Sequence, residues 1–109
     1  MGNTSIRASN INSNVPPFIR AWNLANEVRC TGCPTWKIQN WIDRIAKYVK
    51  SIDSNHLIGV GHEGFFGPDS PMVKYNPNGD SSDWASKEGQ DFLENHRSPD
   101  VDYVGIHVW

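Results

Sequence analysis

From Ile38 to Ile52, apolar residues return at three- and four-residue steps: Ile38, Trp41, Ile42, Ile45, Ala46, Val49 and Ile52. Lys37, Asp43, Arg44, Lys47 and Lys50 fall off that stripe. Such a period predicts a helix with one buried face. Thr35 is placed to cap its start, and Asp53-Ser54-Asn55 to end it. Three other stretches read as strands. Phe18 to Ala25 is a short apolar run, and Leu57 to Gly61 is apolar and bounded by turn residues. In Val101 to Trp109, Val104, Ile106 and Val108 alternate with Gly105, His107 and Trp109, which predicts a strand with two unlike faces. A weaker helical pattern covers Trp84 to His96, with Ala85, Phe92 and Leu93 on its inner side and Ser98-Pro99-Asp100 as its breaker. Strand, helix, strand, helix, strand is the order of an α/β protein, with a parallel sheet built from right-handed crossovers.

The intervening segments are punctuation. Residues 1–17 are polar, carry no period and end in Pro16-Pro17, so they are expected to be an atypical, disordered N-terminal segment ahead of a folded unit spanning 18–109. Gly32 and Pro34 break the chain before the long helix. Gly61 to Gly67 is a glycine-rich turn, and Pro77-Asn78-Gly79-Asp80 is turn chemistry within a long polar loop.

Composition narrows the possible roles. At 109 residues the chain has room for one small domain. Its formal net charge of −2, with acids and bases interspersed, offers no basic patch for nucleic acid or an anionic membrane. No apolar run approaches the roughly 18 residues of a membrane span. The N-terminus lacks the apolar centre of a signal peptide, and Ile6 stands where myristoylation wants Ser or Thr. Asn3-Thr4-Ser5 fits the N-glycosylation pattern, which matters only if the chain is secreted. Cys30 and Cys33 form a C-x-x-C pair. One pair cannot complete a four-ligand zinc site, and Pro34 follows where a redox motif would open a helix. An incidental loop pair is the expectation. His56, His62, His96 and His107 lie on different elements with no metal-ligand spacing, so no metal and no cofactor is expected. No protein partner is predicted. Five tryptophans suit a sugar-binding protein, because the faces of pyranose rings are apolar, although indoles serve cores as readily.

The chemistry converges where the first strand ends. Asn26-Glu27 follows Ala21-Trp22-Asn23-Leu24-Ala25, which sets an amide and a carboxylic acid side by side as strand gives way to loop. A carboxylate at the end of a barrel strand is where glycosidases keep a proton donor. Glu63, inside the glycine-rich turn, is the other acid at a strand end.

Asn26-Glu27 after a Trp-containing strand resembles the Asn-Glu-Pro motif of glycoside hydrolase family 5. Several further segments are similar to the plant endo-β-1,4-mannanases of that family, in order and in spacing. They are Ala46 to Asp53, His56-Leu57, Gly61-His62-Glu63-Gly64-Phe65-Phe66-Gly67, Asn76-Pro77-Asn78, Gly89-Gln90-Asp91-Phe92, and Val101-Asp102-Tyr103 leading to His107. The likeness runs from about Phe18 to Trp109.

The resemblance implies part of a (β/α)8 barrel, covering about three central strands, the fourth to the sixth, and two helices. It implies retaining hydrolysis of internal (1→4)-β-D-mannosidic bonds in mannans, galactomannans and glucomannans, with β-mannan polysaccharide as the partner. Glu27 would be the general acid/base, Asn26 would contact the sugar 2-hydroxyl, and His107 and Trp109 would line the catalytic subsite. Family members are secreted to the cell wall, so the same location is expected here. Two departures stand out. Trp109 replaces the family's usual Tyr, removing a hydroxyl, and Val28 replaces the proline beside the acid. A whole barrel takes about 200–250 residues or more. The alignment stops before the seventh strand, where the family keeps its nucleophilic glutamate. An inactive fragment is therefore the expectation, and Glu63 is given a supporting role rather than the nucleophile's. A non-catalytic mannan-binding fragment, using Trp109, His107 and Trp36, and a pseudogene product are the alternatives.

Overall fold

The computed structural model describes residues 21–77 and 84–108. The expected boundary at residue 17 and the first part of the strand from Phe18 lie outside the described residues, as does Trp109. Helix α1 spans Thr35–Ile52 and buries Ile38, Ile42, Ala46 and Val49, the centre of the stripe read from the sequence. Thr35 is its first residue rather than its cap. The capping position is Pro34, whose φ of −65° suits a helix start, and no side chain caps there. At the other end the Asp53 backbone N–H closes the last turn onto the Val49 carbonyl.

Strands β1 (Ala21–Asn23) and β2 (Leu57–Gly59) lie in parallel, with Trp22 opposite Ile58. α1 is the crossover between them. Its apolar face meets Leu24, Ile58 and Val60 in one core, with Trp22, Trp41, Ile45 and Val101 packed around it. Burying each large aliphatic side chain of such a core contributes about 1.5–3 kcal/mol. A buried carboxylate locks the crossover to the sheet. Asp53 accepts from Trp22 Nε1 of β1 at 3.0 Å and pairs with His56 Nδ1 at 2.9 Å. Burial pushes the Asp53 carboxyl up, but the hydrogen bonds from His56 and Trp22 outweigh it and hold the group below its ordinary value.

Two expectations fail. Among the described residues the sheet has two strands, not three. Residues 101–108 run beside β2 without joining its ladder, held by Asp102 N–H to the Ile58 carbonyl at 2.8 Å and His107 N–H to the His62 carbonyl at 2.9 Å. Asp102 reinforces the first tether by accepting from the Ile58 N–H and pairing with Lys50. The alternation survives as a pattern of exposure: Val104, Ile106 and Val108 are exposed, and Tyr103, Gly105 and His107 half-buried. The second helix is also broken. A 3-10 turn at Trp84–Lys87 and a short helix α2 (Phe92–His96) replace one continuous element. Between them Gly89 takes a φ of +82° against the Cys30 carbonyl, a conformation that ends any helix. Ala85 faces inward as expected, whereas Phe92 and Leu93 are half-buried and Asn95 is the buried residue of α2.

Candidate active site

Just past β1 the chain turns sharply, and the turn sets the direction of Glu27. Glu27 has a φ of +53°, left-handed backbone that costs an ordinary residue roughly 1–2 kcal/mol. Its surroundings sustain that conformation. The Glu27 N–H donates to the Gly61 carbonyl at 2.8 Å. Gly61 itself has a φ of +79°, and a Cβ there would collide with the Ala25 carbonyl oxygen, so only glycine lets the two strand ends approach so closely. The Glu27 carboxylate then meets His107, with Oε2 and Nδ1 2.9 Å apart. Both side chains are half-buried. Two of the expected site residues, 80 positions apart, are thus brought into direct contact. Asn26 is exposed beside Glu27.

Next to this pair lies a cleft of about 380 Å3, lined by Glu63, Phe65, Trp84, Ile106 and His107 among others. Glu27 is not one of the lining residues and reaches the cleft through His107. Phe65 and Trp84 meet edge to face with ring centroids 5.1 Å apart. Trp36, the other tryptophan considered for sugar contact, sits 58% exposed in the first turn of α1 and does not line the cleft.

Glu63 is a buried residue of the cleft lining and is fully engaged. It accepts from Arg29 Nε at 2.7 Å and Nη2 at 2.5 Å, and from Gln90 Nε2 at 2.9 Å. Burial raises its carboxyl pKa. The Arg29 and Gln90 hydrogen bonds and the Arg29 charge lower it further than burial raises it, so the group stays ionised at neutral pH. The Arg29 guanidinium also lies 5.4 Å from the Phe65 ring centre and 5.3 Å from that of Trp84. It therefore joins the aromatic pair to the acid. Both oxygens of this carboxylate are thus engaged within the protein.

Arg29, Phe65, Trp84 and Gln90 were not singled out from the sequence. The one signal available for Arg29 was a cation two residues beyond the proposed acid; for Gln90 it was its place in the family-like segment Gly89-Gln90-Asp91-Phe92. Cys30 and Cys33 are joined in a disulfide rather than standing as an incidental pair. Their loop docks on residues 87–88, through Cys30 N–H to the Glu88 carbonyl and Gly32 N–H to the Lys87 carbonyl, both at 2.8 Å. No group of three or more metal-ligating side chains occurs among the described residues.

A family model described as GH family 5 beta-mannosidase-like matches residues 5–109. The chain belongs to that family. The mannan endo-1,4-beta-mannosidase 5 of Arabidopsis thaliana is 44% identical to this chain over 95 residues, covering 85% of the chain and 21% of the relative. A putative mannan endo-1,4-beta-mannosidase 5 of Oryza sativa subsp. japonica is 47% identical over 96 residues, covering 85% and 19%. Among solved structures, the endo-beta-1,4-mannanase of Thermotoga petrophila superposes with a TM-score of 0.70 at 33% identity, over 87% of this chain and 22% of the other. The endo-1,4-beta-mannanase of Rhizomucor miehei gives 0.71 at 30% identity, over 94% and 32%. The chain spans about a fifth of the length of the curated relatives it matches.

Proposed function

We propose that this segment is the acid/base side of the active site of an endo-1,4-β-mannosidase, and that β1, β2 and the 101–108 run are the fourth to sixth strand positions of a (β/α)8 barrel. The 2.9 Å contact between Glu27 and His107, beside an aromatic-walled cleft, is the observation that carries the reading. Glu27 protonates the glycosidic oxygen as the mannosidic bond breaks, then takes a proton from the water that releases the sugar. His107 fixes the direction of its carboxylate, and Asn26 contacts the 2-hydroxyl. Phe65 and Trp84 give the sugar an apolar wall. A retaining reaction needs a second carboxylate roughly 5–5.5 Å from the first. Glu63 is occupied by Arg29 and Gln90, so that group comes from outside the described residues. The substrate class is β-mannan. The Cys30–Cys33 disulfide supports an oxidising, extracellular setting, which we extend to the cell wall.

The engagement of Glu63 favours a second reading for these residues on their own, mannan binding without hydrolysis. Titrating mannohexaose into the 15N-labelled chain separates the possibilities. Saturable shifts at His107 and Trp84 are expected under both readings, and their absence removes both. Hydrolysis then decides between them. If Glu27 is the proton donor, Glu27→Ala loses galactomannan hydrolysis, whose sugar leaving group needs a proton. It keeps the first turnover of a 2,4-dinitrophenyl β-mannoside, whose leaving group needs none. Binding with no reducing sugar released by the unaltered chain means that these residues bind mannan without hydrolysing it on their own, as the engagement of Glu63 favours. Galactomannan hydrolysis undiminished in Glu27→Ala overturns the acid/base assignment.

A further inference from the structure

Gln90 is fully buried, and neither the core nor the cleft accounts for it. Its side-chain nitrogen donates to the Val28 carbonyl at 2.8 Å and to Glu63 Oε1 at 2.9 Å. Both partners are acceptors only, so the orientation of the amide is determined: reversed, its oxygen would face two oxygens. The amide oxygen has no hydrogen-bond partner within the described structure. A buried amide with an orphaned acceptor is a weak contributor to stability. What it accomplishes is geometric. It joins the backbone beside Glu27 to the anchored carboxylate of Glu63.

The backbone it holds is the one that needs holding. Glu27 stands in the left-handed region at a φ of +53°, which an unrestrained glutamate leaves readily. On its N-terminal side the Glu27 N–H is fixed to the Gly61 carbonyl. On its C-terminal side, one peptide further on, the Val28 carbonyl is fixed by Gln90. Beyond that, Arg29 engages Glu63 through a long side chain, which restrains its own backbone far less directly. Glu63 follows His62, whose carbonyl receives the His107 N–H, so the same strand end supports both members of the Glu27–His107 pair.

We infer that Gln90 is a positioning residue for the proposed proton donor: by clamping the Val28 carbonyl to Glu63 it keeps Glu27 in its left-handed conformation and its carboxylate on His107. It touches neither the sugar nor the reacting atoms. The inference rests on the reading of Glu27 as the acid/base.

The test is spectroscopic, on the isotope-labelled 109-residue chain. In the wild type, both Gln90 side-chain amide protons should exchange slowly with solvent. Glu27 should show the strong intraresidue N–H to Hα Overhauser effect that a positive φ produces, and its side chain should contact the His107 ring. Gln90→Met keeps the length and fills the space but removes both donors. It should lose the Glu27 signature and the His107 contact while the α1 amide signals stay in place. Arg29→Met should keep both. The proposal is overturned if Gln90→Met retains the Glu27 signature, or if Arg29→Met loses it equally. Should Gln90→Met fail to fold, the wild type decides: Gln90 amide protons that exchange as fast as those of exposed amides overturn the clamp, and protected ones support it. Failure of the acid/base reading would register elsewhere, as galactomannan hydrolysis surviving in Glu27→Ala, with the spectroscopic result untouched.

Discussion

Protonation of His62 should cost this protein stability in mild acid, above the range in which Asp53, Glu63 and Asp102 titrate. Its ring is fully buried between α2 and the strand end. Nδ1 accepts from the Gly64 N–H at 2.8 Å, so the ring proton sits on Nε2 and is donated to Asn95 Oδ1 at 2.9 Å. A second proton would oppose the Gly64 N–H and place an unpaired charge in the interior. Burial lowers the His62 pKa from 6.5 to about 4; the Asn95 hydrogen bond offsets part of that, and His96, with its ring 5.2 Å away, adds to the lowering. Because the folded value lies below the unfolded one, the unfolded chain takes up the proton first as pH falls. Stability is therefore full above about pH 6.5, declines from there to about pH 4, and is constant in this respect below that. At 1.36 kcal/mol per pH unit the whole window is worth about 3 kcal/mol, of which about 2 is lost by pH 5. Asp53, Glu63 and Asp102 have lowered pKa values, so their contributions persist above the ordinary carboxylate range and are lost only in stronger acid. The pH 5–7 interval thus lies above the range of these carboxylates, and comparison with a variant lacking His62 singles out this histidine. Urea unfolding followed by tryptophan fluorescence at pH 7, 6 and 5, for the wild type and for His62→Gln, measures it. Gln can donate and accept at the same site without titrating. The wild type should lose about 2 kcal/mol more than His62→Gln between pH 7 and pH 5. Equal losses in the two proteins, or a His62 ring that titrates near 6.5 by NMR, would refute the reasoning.

Two further outcomes test the frame that positions the site. Ile42, fully buried at the middle of the α1 stripe, should cost about 2–5 kcal/mol when changed to Ala, read as a lower urea midpoint at unchanged slope. Gly61→Ala must displace the Ala25 carbonyl and strain a residue at a φ of +79°. The variant should show fast hydrogen exchange at the Glu27 N–H, and a Glu27 amide as protected as in the wild type would disprove the close approach described here.

The helix was legible because its signal is local. Seven apolar residues at helical spacing specify one face whatever they pack against, and α1 buries the centre of that stripe. The Asn26-Glu27 corner was legible for a similar reason, since an apolar run followed by an amide and an acid marks a strand end within a few residues. The third strand misled. Alternation at Val104, Ile106 and Val108 reports an extended chain with unlike faces, but a ladder also needs a neighbour's hydrogen-bonding edge. Residues 101–108 reach β2 and the strand end beyond it at separate points, Ile58 and His62. The second helix misled because the apolar pattern outweighed Gly89, whose positive φ separates the 3-10 turn from α2.

By itself, the sequence determined the helix, the apolar runs flanking it and the carboxylate at the strand end, because each is written in residues close together along the chain, and the family, because its segments recur in order from Phe18 to Trp109. Tertiary structure alone decided what that carboxylate is attached to. The His107 contact spans 80 residues, the Arg29–Glu63 pair 34 and the Gln90 clamp 62. No local pattern encodes such pairings. They arise because the α1 crossover brings the ends of β1 and β2 together, and because Gly61 lets two backbones approach closely enough to hold Glu27 in a conformation it would otherwise leave.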